Sequence, residues 1–182
     1  LVVALLLAGF GLKAGLVPLH VWLPMAHPAA PAPASAVLSG AIVKAGLVGL
    51  LRFLPGDADA GMALAVLGFL TAFWGVGCGI TQANPKAVLA YSTVSQMGVM
   101  AAALGMGMVL GVPATPLAVA FYAVHHALAK GALFLAVGLA PAMGRGRWAL
   151  LLGPALVLAL GFGGLPGTGG ALAKAAVKPQ LG

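Results

Sequence analysis

Four lysines stand inside apolar runs of this sequence: Lys13, Lys44, Lys130 and Lys174. Lys13 lies in GLKAGLVPLHVWLP (11–24), ahead of Pro18 and His20. A charged lysine at the centre of a bilayer costs roughly 2.5–3.5 kcal/mol on insertion scales, and four of them, unpaired, on the order of 10 kcal/mol. Burial disfavours the charged form, and a neighbouring carboxylate restores it. Moving such a neighbour, or its charge, therefore loads and unloads a proton. Histidine, which titrates at about 6.5 when unperturbed, suits the steps between lysines. His126 and Lys130 are spaced i, i+4 and share a helix face, with Tyr122 one further turn back and His125 adjacent. The residues that could form a proton relay are Lys13, Lys44, His126, Lys130 and Lys174, with His20, Pro18, Tyr122, His125 and Pro166 in support.

Lysines also occur in apolar sequence for simpler reasons. A lysine near a helix end can reach the headgroups along its own alkyl stem, which accounts for Lys86 and Lys178. Lys13 and Lys44 have about ten apolar residues on either side and do not fit that pattern; Lys174 admits both readings. A lone buried histidine is commonly just hydrogen-bonded, but a His-x-x-x-Lys face inside a membrane span is harder to assign to packing alone.

The elements that must position these groups follow from composition. The chain is 62% hydrophobic and 6% charged, with a mean hydropathy of +1.13. Soluble domains carry about 25% charged residues, so the expected class is all-α, a polytopic bundle of transmembrane helices forming a single membrane domain over 1–182 in contact with lipid. The net charge of +7 does not indicate nucleic acid, because the basic residues are scattered rather than gathered on one exposed face. Cys78 is the single cysteine and cannot form an internal disulfide. Leu1 opens directly in an apolar run and KPQLG ends abruptly, so the sequence is expected to be part of a longer subunit.

A bilayer core needs roughly 20 apolar residues per helix. Six stretches qualify, at about 1–23, 34–54, 61–83, 87–111, 117–139 and 149–178. Between them lie HPAAPAP (27–33), PGDADAG (55–61), ANPK (83–86), GVPATP (111–116) and APAMGRGRW (140–148), all rich in turn formers. The glycines 40, 46, 49, 75, 77 and 79 are read as close-packing positions. Lys86, Arg145 and Arg147 mark one side, while Arg52 on the other is offset by Asp57 and Asp59. The positive-inside rule then places loops 24–33, 83–86 and 140–148 in the cytoplasm of a multi-pass plasma-membrane protein. No acidic residue falls within these six spans.

Two spans are expected to be discontinuous. Pro18 and Pro24 interrupt the first, and Gly163, Gly164, Pro166, Gly167, Gly169 and Gly170 the sixth. Irregular backbone at this depth is tolerated only in protein or beside a wet cavity, and broken helices are a feature of ion-coupled transporters. Both breaks follow a Gly-Phe-Gly, in LLLAGFGLKAG (5–15) and LALGFGGLPGTGG (158–170), as an internal repeat would. GTGGALAK (167–174) lacks the ending and flanks of a phosphate-binding loop. His20 and His27, on either side of Pro24, make a poor ligand pair, and no metal site or cofactor is expected.

The stretch 11–53 resembles the signature region of the antiporter-like membrane subunits of respiratory complex I, Mrp-type cation/proton antiporters and membrane-bound hydrogenases. NPKAVLAYSTVSQMG (84–98) and HHALAKGALFLAVG (125–138) are similar to two further family segments in the same order. Within the family, AHPAAPAPASAVLSGAIVKAG is most similar to the hydrogenase-4 and formate hydrogenlyase branch, with the Mrp branch next. The resemblance implies a fourteen-helix core of two inverted five-helix repeats, of which this chain would be the seventh to twelfth helices. It implies that Lys13 pairs with a glutamate on an earlier helix outside this chain and that Lys44 is a bridging lysine. His126 and Lys130 would be the central relay of the second repeat, and Lys174 the exit-side lysine, although LPGTGGALAK departs from the commoner ending. Tyr122 stands where some members have histidine. It further implies a subunit with no redox centre of its own, whose partners are other membrane subunits of a redox-driven pump and, through them, hydrogenase or quinone-reducing subunits. A sodium/proton antiporter subunit and a purely structural scaffold are the alternatives.

Overall fold

The computed structural model describes residues 1–143 and 147–181, apart from the Trp148 side chain; Arg145, one of the residues used to orient the loops, lies outside them. The described residues form helices with no strand. In chain order these are α1 (Val2–Ala14), α2 (Trp22–Ala29), α3 (Ala32–Val37), α4 (Val43–Phe53), α5 (Ala58–Gly79), α6 (Pro85–Val109), α7 (Thr115–Leu139), α8 (Trp148–Gly163) and α9 (Gly169–Val177). A π turn, Leu38–Ile42, joins α3 to α4, so that Ala32–Phe53 is one span. Among the described residues four helices are long and apolar enough to cross a membrane, and Val2–Ala14 and Ala149–Gly163 are shorter apolar helices. The six expected stretches are therefore present, the first and last of them broken.

Where a helix begins earlier than expected, a cap explains it. Asp57 accepts from the Ala60 N–H at 2.7 Å and starts α5, which puts Asp59 in the first helical turn rather than in a loop. Asn84 caps α6 in the same way, with Pro85 at the first helical position. The α2–α3 junction follows from Pro31. The His27 carbonyl cannot receive an N–H from residue 31, and the Ser35 hydroxyl donates to it instead at 3.1 Å. Beside it, Lys86 Nζ donates to the Ala30 carbonyl at 2.6 Å, so the α2–α3 junction meets the start of α6; the stretch 24–33, expected as a loop, is helical except at Ala30 and Pro31.

The two breaks share one hydrogen-bond pattern. Gly15, at φ 75°, ends α1, with its N–H on the Leu12 carbonyl and the Leu16 N–H on the Gly11 carbonyl. Gly164, at φ 88°, ends α8, with its N–H on the Gly161 carbonyl and the Leu165 N–H on the Leu160 carbonyl. Both are Schellman caps, which need a left-handed residue and so favour glycine. Aligning the caps sets Lys13 opposite Phe162, a different register from the Gly-Phe-Gly match. Neighbours satisfy backbone groups that the breaks free. Thr71 Oγ1 accepts from the Val17 N–H at 3.0 Å, and Trp22 Nε1 donates to the Leu12 carbonyl at 2.8 Å.

Helices α5 and α6 make the tightest seam. Gly61, Gly68 and Gly75 on α5 meet the backbone of α6 at Gly105, Ala102 and Ser95, while Gly98 and Gly105 on α6 meet α5 at Ala72 and Ala65. A methyl group at Gly75 would lie 2.6 Å from the Ser95 nitrogen. This is small-residue packing, which lets backbones touch where lipid gives no hydrophobic drive. Gly46 does the same for α4 against the α1 backbone at Phe10 and Ala14, and Gly49 makes room for the Phe10 ring, while Gly77 faces nothing within 4 Å among the described residues. Overpacking costs about 1–3 kcal/mol. Gly75→Ala is therefore expected to lower the melting temperature of the purified full-length parent, and Gly77→Ala to leave it unchanged; a thermal melt in detergent distinguishes the two.

Candidate functional site: a buried lysine and histidine cluster

The centre of the site is a contact between α4 and α7. Lys44 Nζ lies 2.5 Å from His126 Nδ1 and also donates to the carbonyl of Ser39 in the π turn. Such a turn is uncommon and recurs at functional sites; here it presents a backbone acceptor to the lysine. One helical turn beyond His126, Lys130 donates to the Leu89 carbonyl of α6 at 3.0 Å. His126 is 0% exposed and Lys130 1%. Phe162 of α8 closes the far side, with its ring centre 5.4 Å from Lys130 Nζ and 5.7 Å from each of the His125 and His126 rings. A cation over an aromatic face is attracted by the ring quadrupole.

The face predicted for α7 is present. Tyr122, His126 and Lys130 are all buried along it. The Tyr122 hydroxyl donates to Gln96 Oε1 of α6 at 2.5 Å and borders a cavity of about 500 Å³ that Lys174 and Lys178 also line. His125 is half-buried and turns the other way, toward the α8–α9 break, where a side chain on Gly169 would meet its ring at 3.1 Å. The two adjacent histidines thus face different partners, Lys44 and the break.

Two of the lysines proposed from the sequence for the relay are not enclosed. Lys13 is exposed in the last turn of α1, beside a groove lined by Leu5, Leu6, Gly9, Phe10 and Ala45. Helix α1 buries only Gly11 and Ala14, because it packs mainly on α4 and its outer face meets nothing among the described residues. Lys174 is also exposed, and it donates to the Gly163 carbonyl at the end of α8 at 3.0 Å. Pro18 and Pro166 are exposed in the breaks. His20 is buried and accepts from Trp74 Nε1 at 3.0 Å, with the Tyr91 ring 6.4 Å away. Neither His20 nor Lys13 joins the central cluster.

The sequence reading missed Ser39, Leu89, Gln96 and Phe162, which hold or cover the central groups. Phe162 carried a signal, since its Gly-Phe-Gly stood out; the polar residues Ser39 and Gln96 lay inside apolar spans and could have been tested as partners of the lysines. Among the described residues there is no group of histidine, cysteine or acidic side chains able to hold a metal ion. The Lys44–His126 contact has the donor and acceptor that a proton transfer requires. A Lys44 ammonium donating to the Nδ1 of a neutral His126, whose own hydrogen is then on Nε2, needs only a short transfer to become an amine beside an imidazolium with N–H on both ring nitrogens.

The chain matches the family model described as NADH:quinone oxidoreductase/Mrp antiporter, TM, over residues 1–177. It is 40% identical over 144 residues to hydrogenase-4 component B of Escherichia coli K12, covering 71% of this chain and 21% of that protein. It is 39% identical over 141 residues to formate hydrogenlyase subunit 3 of the same organism, covering 71% and 23%. Its fold is similar to a chain of respiratory complex I from Thermus thermophilus, with a TM-score of 0.75, 31% identity, and coverage of 98% of this chain and 42% of that one. The chain thus spans less than half the length of the relatives it matches. Replacing Tyr122 by Phe removes the bond to Gln96, and a net loss of about 0.5–1.5 kcal/mol in unfolding free energy of the full-length parent is expected. Denaturant titration checks this, with Gln96→Leu/Tyr122→Phe predicted to recover part of the loss because neither partner is then left unpaired.

Proposed function

The chain belongs to the NADH:quinone oxidoreductase/Mrp antiporter transmembrane family, and from that premise we propose that it is the part of a proton-translocating membrane subunit that carries the central relay and both broken helices. The observation that carries this reading is the Lys44–His126 contact at 2.5 Å, with Lys130 buried one turn away. Protons pass between Lys44 and His126 and on to Lys130. From there they leave past His125 and Phe162 toward Lys174 at the second break. Lys13 forms the input side. It is exposed beside an apolar groove, and in the full-length subunit that groove receives the earlier helix whose glutamate the resemblance implies. Bringing that carboxylate to Lys13, or withdrawing it, changes the field at Lys44 and sets the load on the relay.

The parent subunit works in a bacterial inner-membrane complex of the hydrogenase-4 and complex I type. The identity to hydrogenase-4 component B and formate hydrogenlyase subunit 3 supports this branch. Electron transfer takes place in partner subunits and drives the charge movement; the relay subunit supplies titratable side chains. The Mrp half of the family description supports a second reading, a sodium/proton antiporter subunit.

The test uses inverted membrane vesicles carrying the full-length parent in its complex, energised with the complex's own electron donor. Lys44→Met is expected to leave assembly and electron transfer measurable while acidification per electron falls on the order of tenfold or more, as loss of a positioned acid–base group does. Wild-type acidification from an assembled Lys44→Met complex would refute the relay. Sodium-dependent transport that needs no electron donor would move the chain to the antiporter reading.

A further inference from the structure

Backbone carbonyls, rather than carboxylates, hold the half-buried Lys44 and the buried Lys130. Lys44 Nζ donates to the Ser39 carbonyl and Lys130 Nζ to the Leu89 carbonyl. A second link joins these anchors. The Thr93 hydroxyl donates to the same Leu89 carbonyl at 3.0 Å, and its oxygen lies 2.8 Å from the Ser39 hydroxyl. Ser39 and Thr93 are both 0% exposed. Two hydroxyls that the relay does not use therefore connect the residue that holds Lys44 to the carbonyl that holds Lys130.

The Leu89 carbonyl is crowded. It sits inside α6, where the helix already directs the N–H of the fourth residue on, Thr93, at it. A carbonyl oxygen has two lone pairs, so the Thr93 hydroxyl and the Lys130 ammonium compete for what remains. Either hydroxyl of the Ser39–Thr93 pair can be the donor. With Ser39 donating, the Thr93 hydrogen turns to Leu89, and Lys130 shares that carbonyl. With Thr93 donating to Ser39, the carbonyl is left to Lys130.

We propose that Ser39 and Thr93 are positioning residues of the relay, the direction of their shared hydrogen bond setting how much of the Leu89 carbonyl is free to hold the Lys130 ammonium. The same bond ties the π turn to α6 and so fixes the Ser39 carbonyl in front of Lys44. One pair of hydroxyls thereby links the holding of both lysines. This inference rests on the relay reading above. Its rival is that the pair only joins two helices, as hydroxyls in membrane spans often do.

The vesicle assay on the full-length parent in its complex separates these. Thr93→Val keeps the shape and removes the hydroxyl. Acidification per electron is expected to fall roughly two- to tenfold, the worth of one net hydrogen bond, while Thr93→Ser recovers it. Both variants cut the tie between the π turn and α6, but Ser39→Ala also commits the Thr93 hydroxyl to the Leu89 carbonyl, so its loss should be at least as large, and Ser39→Ala/Thr93→Val should be no worse than Ser39→Ala alone because groups that act as one unit are non-additive. Lys130→Met is measured alongside. If Lys130→Met stops pumping while Thr93→Val and Ser39→Ala pump at the wild-type ratio, the pair is only a helix contact and this inference fails alone. If Lys130→Met pumps normally, the relay reading fails and this inference with it. Should Thr93→Val not assemble, Ser39→Ala decides the question by the same ratio.

Discussion

Lys44 and His126 meet across two helices at 2.5 Å, and the arrangement of the bundle serves that contact. Neither residue can be placed by its own helix alone. Helix α4 must be turned so that Lys44 points inward, which the π turn at Leu38–Ile42 does while offering the Ser39 carbonyl as an acceptor. Helix α7 must present His126 and Lys130 on one face, which their four-residue spacing ensures. Helix α6 must lie close enough for the Leu89 carbonyl to reach Lys130. A buried ammonium is tolerated only when hydrogen-bonded, so each of these placements is a condition for the next.

Small residues make the required closeness available. The α5 series Gly61, Ala65, Gly68, Ala72 and Gly75 alternates by four and three, and Gly98, Ala102 and Gly105 answer it on α6. That seam fixes α6 firmly against α5. The opposite face of α6 then offers Leu89, Thr93 and Gln96 to its other neighbours. Rigid packing on one side of a helix supports polar precision on the other.

The fold was legible in the sequence because its signals are long-range and redundant. Six apolar stretches, punctuated by Pro, Gly and Asp, need no tertiary information, and the glycine caps at 15 and 164 lie in the predicted breaks. The face of α7 was legible for the same reason, since Tyr122, His126 and Lys130 follow helical periodicity. Depth was not. Lys13 is as central in its apolar run as Lys44 is in its own, yet it is exposed, because exposure depends on which neighbours cover a face. The glycine reading was right for Gly46, Gly49 and Gly75 but not for Gly77, since composition alone does not say which side of a helix a glycine occupies. Ser39 and Thr93 went unread because a serine or threonine inside a helix commonly bonds back to its own turn, which hides any role across helices.

The two Schellman caps have an electrical consequence. Helices α1 and α8 both stop at a glycine cap short of the next helix, and a helix C-terminus carries about half a negative elementary charge from its aligned peptide dipoles. Lys13 sits in the last turn of α1, and Lys174 reaches the Gly163 carbonyl at the end of α8. Each break therefore brings a countercharge to a lysine without an acidic side chain. Unlike a carboxylate, this countercharge cannot be neutralised by taking up a proton. The macrodipoles act as fixed electrodes at the two breaks, with a bias that stays the same at any pH.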